Sequence, residues 1–457
     1  MLAVTERAAL LKIRLAEPHL REMLVGSLAG LTVKVLAALS LFAMNVAVTR
    51  TMGASEAGLF FFGFTLVTIA ATAGRLGLDQ VIVRFIATEK DKGTHSTLHK
   101  IYRNAVLWTL SASLIFTAGL WLSADWLNHV IFGLPNFTPT FQNMVLAVPV
   151  VAIYIIHAQA LQGLKRISQS MLVSSVFVPT TVLGLIFIAP TKHAYELSLY
   201  FITACILAAL LGRLFWTRSV TSATSSSAPN ATQASSVIST ECKETTALLM
   251  RKACVPLWTV AIVHLAIQWS SQLILGVWED AQAIAFFATA QRTAMLTSFA
   301  LFAVNTIAAP KFAVMHSTGD MAGLKRMALV SVRLMLAVSL PITLFIFMFP
   351  EWIMSLFGDE FTSAATALMI LATGQFINIA TGSVGYLLSM TGHERSVRDN
   401  VLVSGVFSVV LGLTLIPLFG VIGAATAYAC GVASQNLLGV YQVKKHLGFN
   451  TLLFWKS

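Results

Sequence analysis

The chain has 457 residues, 57% of them hydrophobic and only 11% charged, with a formal net charge of +11 at pH 7. That balance, with a mean hydropathy of +0.79, describes an all-α polytopic membrane protein and leaves no extramembrane segment large enough for an enzyme domain. The basic excess is explained by membrane topology and anionic headgroups, so it is no evidence for nucleic-acid binding.

In chain order, residues 1–24 mix charges with Leu10, Leu11, Ile13 and Leu15. They read as a retained amphipathic cytoplasmic segment at the membrane interface and not as a secretory signal. Windows of about 19 apolar residues then predict spans at 25–48, 57–74, 105–122, 143–164, 171–189 and 197–216, an N-terminal six-helix bundle over 25–217. The texture breaks at 219–239, which is polar and of low complexity, and residues 218–252 read as a cytoplasmic Ser/Thr-rich linker. Six more spans follow at 255–277, 281–309, 329–349, 364–390, 401–417 and 421–441, a C-terminal bundle over 253–443, before a cytoplasmic tail at 444–457. Prolines 149, 179, 256, 310, 341 and 417 fall in spans or at their ends and mark places for kinks.

Basic residues fix the orientation. Of the 30, 26 fall on the side that holds the N-terminus, the even-numbered loops, the linker and the tail, whereas the opposite side holds only Arg50 and Lys192. The positive-inside rule therefore places both termini in the cytoplasm. The halves share landmarks: Phe60-Phe61 against Phe286-Phe287, and Trp126 to Gly133 against Trp352 to Gly358. An even number of spans per half gives a parallel repeat, with twelve helices in two six-helix halves around a central cavity. Cys205, Cys242, Cys254 and Cys430 lie in spans or on the cytoplasmic side and read as packing residues. The ten histidines show no metal-ligand spacing, so no metal and no cofactor are expected.

Two motif groups carry a family resemblance. In the C-terminal third they are Leu356-Phe357-Gly358-Asp359-Glu360-Phe361, Met390-Thr391-Gly392-His393-Glu394-Arg395 and Leu415-Ile416-Pro417-Leu418-Phe419-Gly420 with Val421-Ile422-Gly423-Ala424-Ala425. In the first half they are Gly53-Ala54-Ser55-Glu56-Ala57-Gly58, Gly74-Arg75-Leu76-Gly77-Leu78-Asp79 and Leu161-Gln162-Gly163-Leu164-Lys165-Arg166. Together they resemble polysaccharide-biosynthesis transporters of the multidrug/oligosaccharidyl-lipid/polysaccharide exporter superfamily, and within it the lipid-linked oligosaccharide (O-antigen type) flippases. The resemblance implies a substrate with an undecaprenyl tail, a pyrophosphate and a sugar headgroup, flipped to the outer leaflet of a bacterial inner membrane. It also implies a polymerase or ligase that receives the product. It leaves the oligosaccharide and any coupling ion open, and the matched glycines read as fold determinants.

The residue inventory tests that implication. None of the nineteen acids lies well inside a span, whereas Lys34 lies in span one and Arg292 in span eight, close to the midplane. A buried guanidinium costs from roughly 2.5 kcal/mol upward and marks a substrate path. A drug exporter for cations, the alternative within the superfamily, would be expected to hold a carboxylate here. A membrane-embedded glycan polymerase would need paired catalytic acids, yet the longest outer loop, 123–142, has only Asp125. Lys34 and Arg292 are therefore the expected pyrophosphate ligands. Asn45, His264, Gln268, Gln272, Gln291, Gln375 and Asn378 are the amide and imidazole groups expected to bind sugar or line the cavity. Arg75, Asp79 and Arg84 are expected at the cytoplasmic edge, as a local ion pair or a gate whose making and breaking controls access.

Overall fold

A computed structural model describes residues 18–91, 95–225 and 241–453. The expected amphipathic segment up to residue 17, the middle of the linker (226–240) and the end of the tail (454–457) lie outside the described residues. Among the described residues every regular element is helical. The chain from residue 18 contains no proline after its first residue, and it forms one helix, Pro18–Gly74, broken only at Gly53 (φ 75°, ψ 174°). Glu394–Leu447 is likewise broken only at Gly420 (φ 51°, ψ −124°). Each break separates two expected spans at a position where a left-handed φ suits glycine alone.

Between these two broken rods the order follows the sequence reading, with three differences. Leu78–Asp91, expected as loop, is a helix. Its Leu78, Val81, Ile82 and Ile86 are buried while Gln80 and Arg84 are exposed, the spacing of an amphipathic helix. The outer segment expected as a loop at 123–142 is mostly helical, and Phe137–Val145 bends by 41° onto Val148–Gly163. The helix Ala194–Ser225 runs past the expected start of the linker, and Glu241–Trp278 begins before its expected end. No proline or glycine between Arg213 and Ser225 stops the first of these helices.

The core is joined at one end of the molecule and divided at the other. One apolar cluster unites much of the first half with residues 275–294, 346–372 and 416–428 of the second. All of those second-half stretches lie toward the end marked by Asp280, Phe357 and Gly420. At the opposite end the buried residues separate into one cluster around Leu78, Ile82, Ile156 and Trp216 and another around Ala308, Phe312, Leu324 and Val443. Polar contacts pin the joined end. Arg50 donates through Nε and Nη2 to the carbonyls of Leu356 (2.7 Å) and Ser355 (3.2 Å), and the Ala54 N–H donates to Glu360 Oε1 at 2.6 Å. Gly58 allows a close crossing, since a Cβ there would lie 1.7 Å from the Ala281 carbonyl oxygen. Toward the divided end the start of span seven still touches the first half, with Trp258 Nε1 donating to the Ala73 carbonyl at 3.0 Å.

Candidate functional site

Span one presents Lys34, Ala38, Leu41, Phe42 and Asn45 to a cavity of about 450 Å³. These positions recur at helical spacing and share one face. The facing wall is built from irregular helix. Span five contains a π-helical turn, Leu172–Val176, and contributes Ser174, Ser175, Val178 and Pro179. Pro179 has no N–H to offer the Ser175 carbonyl four residues back, which favours the wider turn. Span eight turns from α-helix, Ala281–Ala294, to the 3₁₀ segment Met295–Ser298 three residues after Arg292, and brings Arg292, Thr293, Met295 and Leu296 to the same cavity. Phe60, Phe64, Tyr154, Phe201 and Phe357 complete an aromatic lining.

Arg292 is held by three partners. Its Nη1 donates to Asn45 Oδ1 at 2.6 Å, and its guanidinium carbon lies 4.2 Å from the Phe61 ring centroid and 5.4 Å from that of Phe64. Ring faces stabilise a desolvated cation by an amount on the order of 1–2 kcal/mol. These contacts offset the cost of desolvating a guanidinium without any carboxylate, and among the described residues lining the cavity there is none.

The structure brings together only some of the residues singled out from sequence. Lys34, Arg292 and Asn45 share the cavity, although Asn45 gives its carbonyl oxygen to Arg292. The other amides stand elsewhere. Gln272 donates to the Phe61 carbonyl at 3.3 Å, between spans seven and two, while His264, on the same helix, is exposed and Gln268 is partly buried. Gln375 accepts from Ser298 Oγ (2.6 Å) and from Asn378 Nδ2 (3.3 Å), and Tyr428 lies against both Gln291 and Gln375. That group ties helices together within the second half. Arg75 Nε bonds Asp79 Oδ1 at 2.7 Å and Arg75 Nη2 bonds Thr72 Oγ1 at 2.9 Å. Arg84 is exposed on the amphipathic helix. The serines of the π turn and the aromatic lining were not picked out from sequence. Pro179 was the one available signal for the irregular turn.

A family profile described as polysaccharide biosynthesis protein matches residues 21–316. A Haloferax volcanii protein described as a probable low-salt glycan biosynthesis flippase, Agl15, is 25% identical over 171 residues, 37% of this chain and 36% of that protein. The chain thus matches about a third of the length of that curated relative. Among solved structures, the inward-facing conformation of a multidrug resistance MATE family transporter of the MOP superfamily aligns with a TM-score of 0.73 at 13% identity, over 94% of this chain and 99% of that one. The lipid II flippase MurJ in an inward closed conformation aligns with a TM-score of 0.70 at 10% identity, over 92% of this chain and 87% of that one. At such identities the likeness establishes the fold, which is that of a multi-pass membrane transporter.

Proposed function

The chain belongs to the polysaccharide biosynthesis protein family, and from that premise we propose that it flips an undecaprenyl-pyrophosphate-linked oligosaccharide from the cytoplasmic to the periplasmic leaflet by alternating access. The product would feed surface polysaccharide assembly, O-antigen or exopolysaccharide, through a polymerase or ligase. The observation that carries this reading is the sign of the cavity, which holds Lys34 and Arg292 and no carboxylate among its described lining residues. Such a cavity suits the pyrophosphate and repels an organic cation. Lys34 and Asn45 are eleven residues apart in sequence, about 16 Å along a helix. The anion therefore meets one cation at Lys34 and a second deeper in, at Arg292. The aromatic walls offer apolar surface to the polyprenyl tail or to sugar faces.

On the proposed topology, with both termini in the cytoplasm of a bacterial inner membrane, the divided end of the core faces the cytoplasm. The conformation is then inward-facing, ready to receive substrate from the inner leaflet. Reconstitution into liposomes with a fluorescent lipid-linked oligosaccharide tests the proposal. The glycolipid should become accessible on the opposite leaflet only when the protein is present. Movement of organic cations without movement of the glycolipid would assign the chain to drug export instead.

A further inference from the structure

We infer that Asn45 is the residue that keeps the positive charge of Arg292 available to the substrate; the inference rests on the reading above that the substrate group bound by Arg292 is an anion. Asn45 is 2% exposed, faces Arg292 from the opposite half of the molecule, and gives the guanidinium a neutral acceptor at 2.6 Å. A guanidinium has five N–H donors in a fixed fork, and the contacts seen here are the bond from Nη1 and the ring faces of Phe61 and Phe64. The group is oriented and shielded, yet its charge is not cancelled.

The chemistry of the alternative shows what the amide does. Aspartate has nearly the same shape and would accept the same hydrogen bond more strongly, since both partners would be ionised. It would also create an internal ion pair, so that a substrate phosphate would have to displace a covalently tethered carboxylate at very high local concentration. The single atom change from amide nitrogen to oxygen would turn a cationic station into a neutral one without disturbing the packing. Asn45 is thus a positioning and specificity-determining residue that acts through Arg292, holding the fork aimed while leaving its charge for the substrate.

Two substitutions separate this role from a merely structural one, because they rank in opposite orders under the two. Were Asn45 only a hydrogen-bond partner that stabilises the fold, Asn45→Asp would be milder than Asn45→Leu. Under the inference the order reverses. Asn45→Leu should lower glycolipid movement in liposomes by about tenfold, the equivalent of one lost hydrogen bond, whereas Asn45→Asp should lower it by on the order of a hundredfold or more. The melting temperature of Asn45→Asp should be no lower than that of the unsubstituted protein, which shows that the loss does not come from misfolding. A second measurement uses inorganic pyrophosphate as a soluble probe. It should raise the melting temperature of the unsubstituted protein and of Asn45→Leu, and leave Asn45→Asp unmoved. Where the unsubstituted protein moves the glycolipid, transport by Asn45→Asp at or above that of Asn45→Leu overturns the inference; the lack of a pyrophosphate shift in the unsubstituted protein overturns it in any case. If pyrophosphate discriminates the variants as described but no glycolipid moves, the assignment of Asn45 stands and the proposed substrate falls.

Discussion

Arg292 enters the cavity with a neutral acceptor, Asn45, and two aromatic rings, Phe61 and Phe64, around its guanidinium. A charge within an apolar stretch is visible in the hydropathy pattern alone, so Arg292 and Lys34 stand out, and both line the same cavity. The amides were harder to place. Asparagine and glutamine occur in membrane spans both to line pathways and to tie helices together, and sequence spacing cannot tell which neighbour a given face meets. Asn45 proved to meet Arg292 across the two halves, whereas Gln375 and Asn378, three residues apart as expected for one surface, turn that surface toward Ser298 inside their own half. Arg292→Ala should abolish glycolipid movement while the protein still inserts and accumulates, because one hydrogen bond and two ring contacts are a small part of what joins the two halves. Arg292→Lys should retain roughly a tenth or less of the activity, since an ammonium keeps the charge but loses the planar fork. Liposome transport alongside quantified protein checks both, and full transport by the alanine variant would remove the anion-binding site from the proposal.

At the level of elements, the spans were legible because apolar length and helix formation are the same signal in a bilayer. What escaped were departures from regular helix. The amphipathic helix Leu78–Asp91 carries its buried face in plain periodicity, but a search tuned to uniformly apolar windows passes over it. The π turn at Leu172–Val176 and the 3₁₀ segment at Met295–Ser298 depend on which carbonyls neighbouring helices can satisfy, and that is tertiary information. The glycines of the family motifs are easier to account for once the helices are in place. Gly58, in the motif that starts at Gly53, stands where helix Ala281–Ala294 begins and permits backbone-to-backbone approach. Gly58→Ala should force the two helices apart at that crossing, at a cost of about 1–3 kcal/mol to the closed arrangement. The population should move by roughly tenfold toward the state open at that end. Membrane-impermeant labelling of a cavity cysteine introduced at Ala38, applied from the Asp280 side, should rise in the Gly58→Ala background and stay low without it.

For the whole molecule, the paired landmarks of the sequence share two features in the structure. Trp126 and Trp352 are both exposed, and each is followed by a glycine with positive φ, Gly133 and Gly358. Tryptophan at such positions suits the membrane interface. Reporter fusions at Asn128 and Phe357 should signal the periplasm, and fusions at Ser225 and Ser457 the cytoplasm; a periplasmic signal at Ser225 would contradict the proposed topology. The joined core at the Asp280, Phe357 and Gly420 end carries one more consequence. Opening that end would bring water onto apolar surface that is now buried, whereas the opposite end is already divided between two clusters. Hydration of apolar surface raises heat capacity. The switch to the outward-facing state should therefore carry a positive heat-capacity change, and the logarithm of the flipping rate plotted against inverse temperature should bend where a simple activated step would give a straight line.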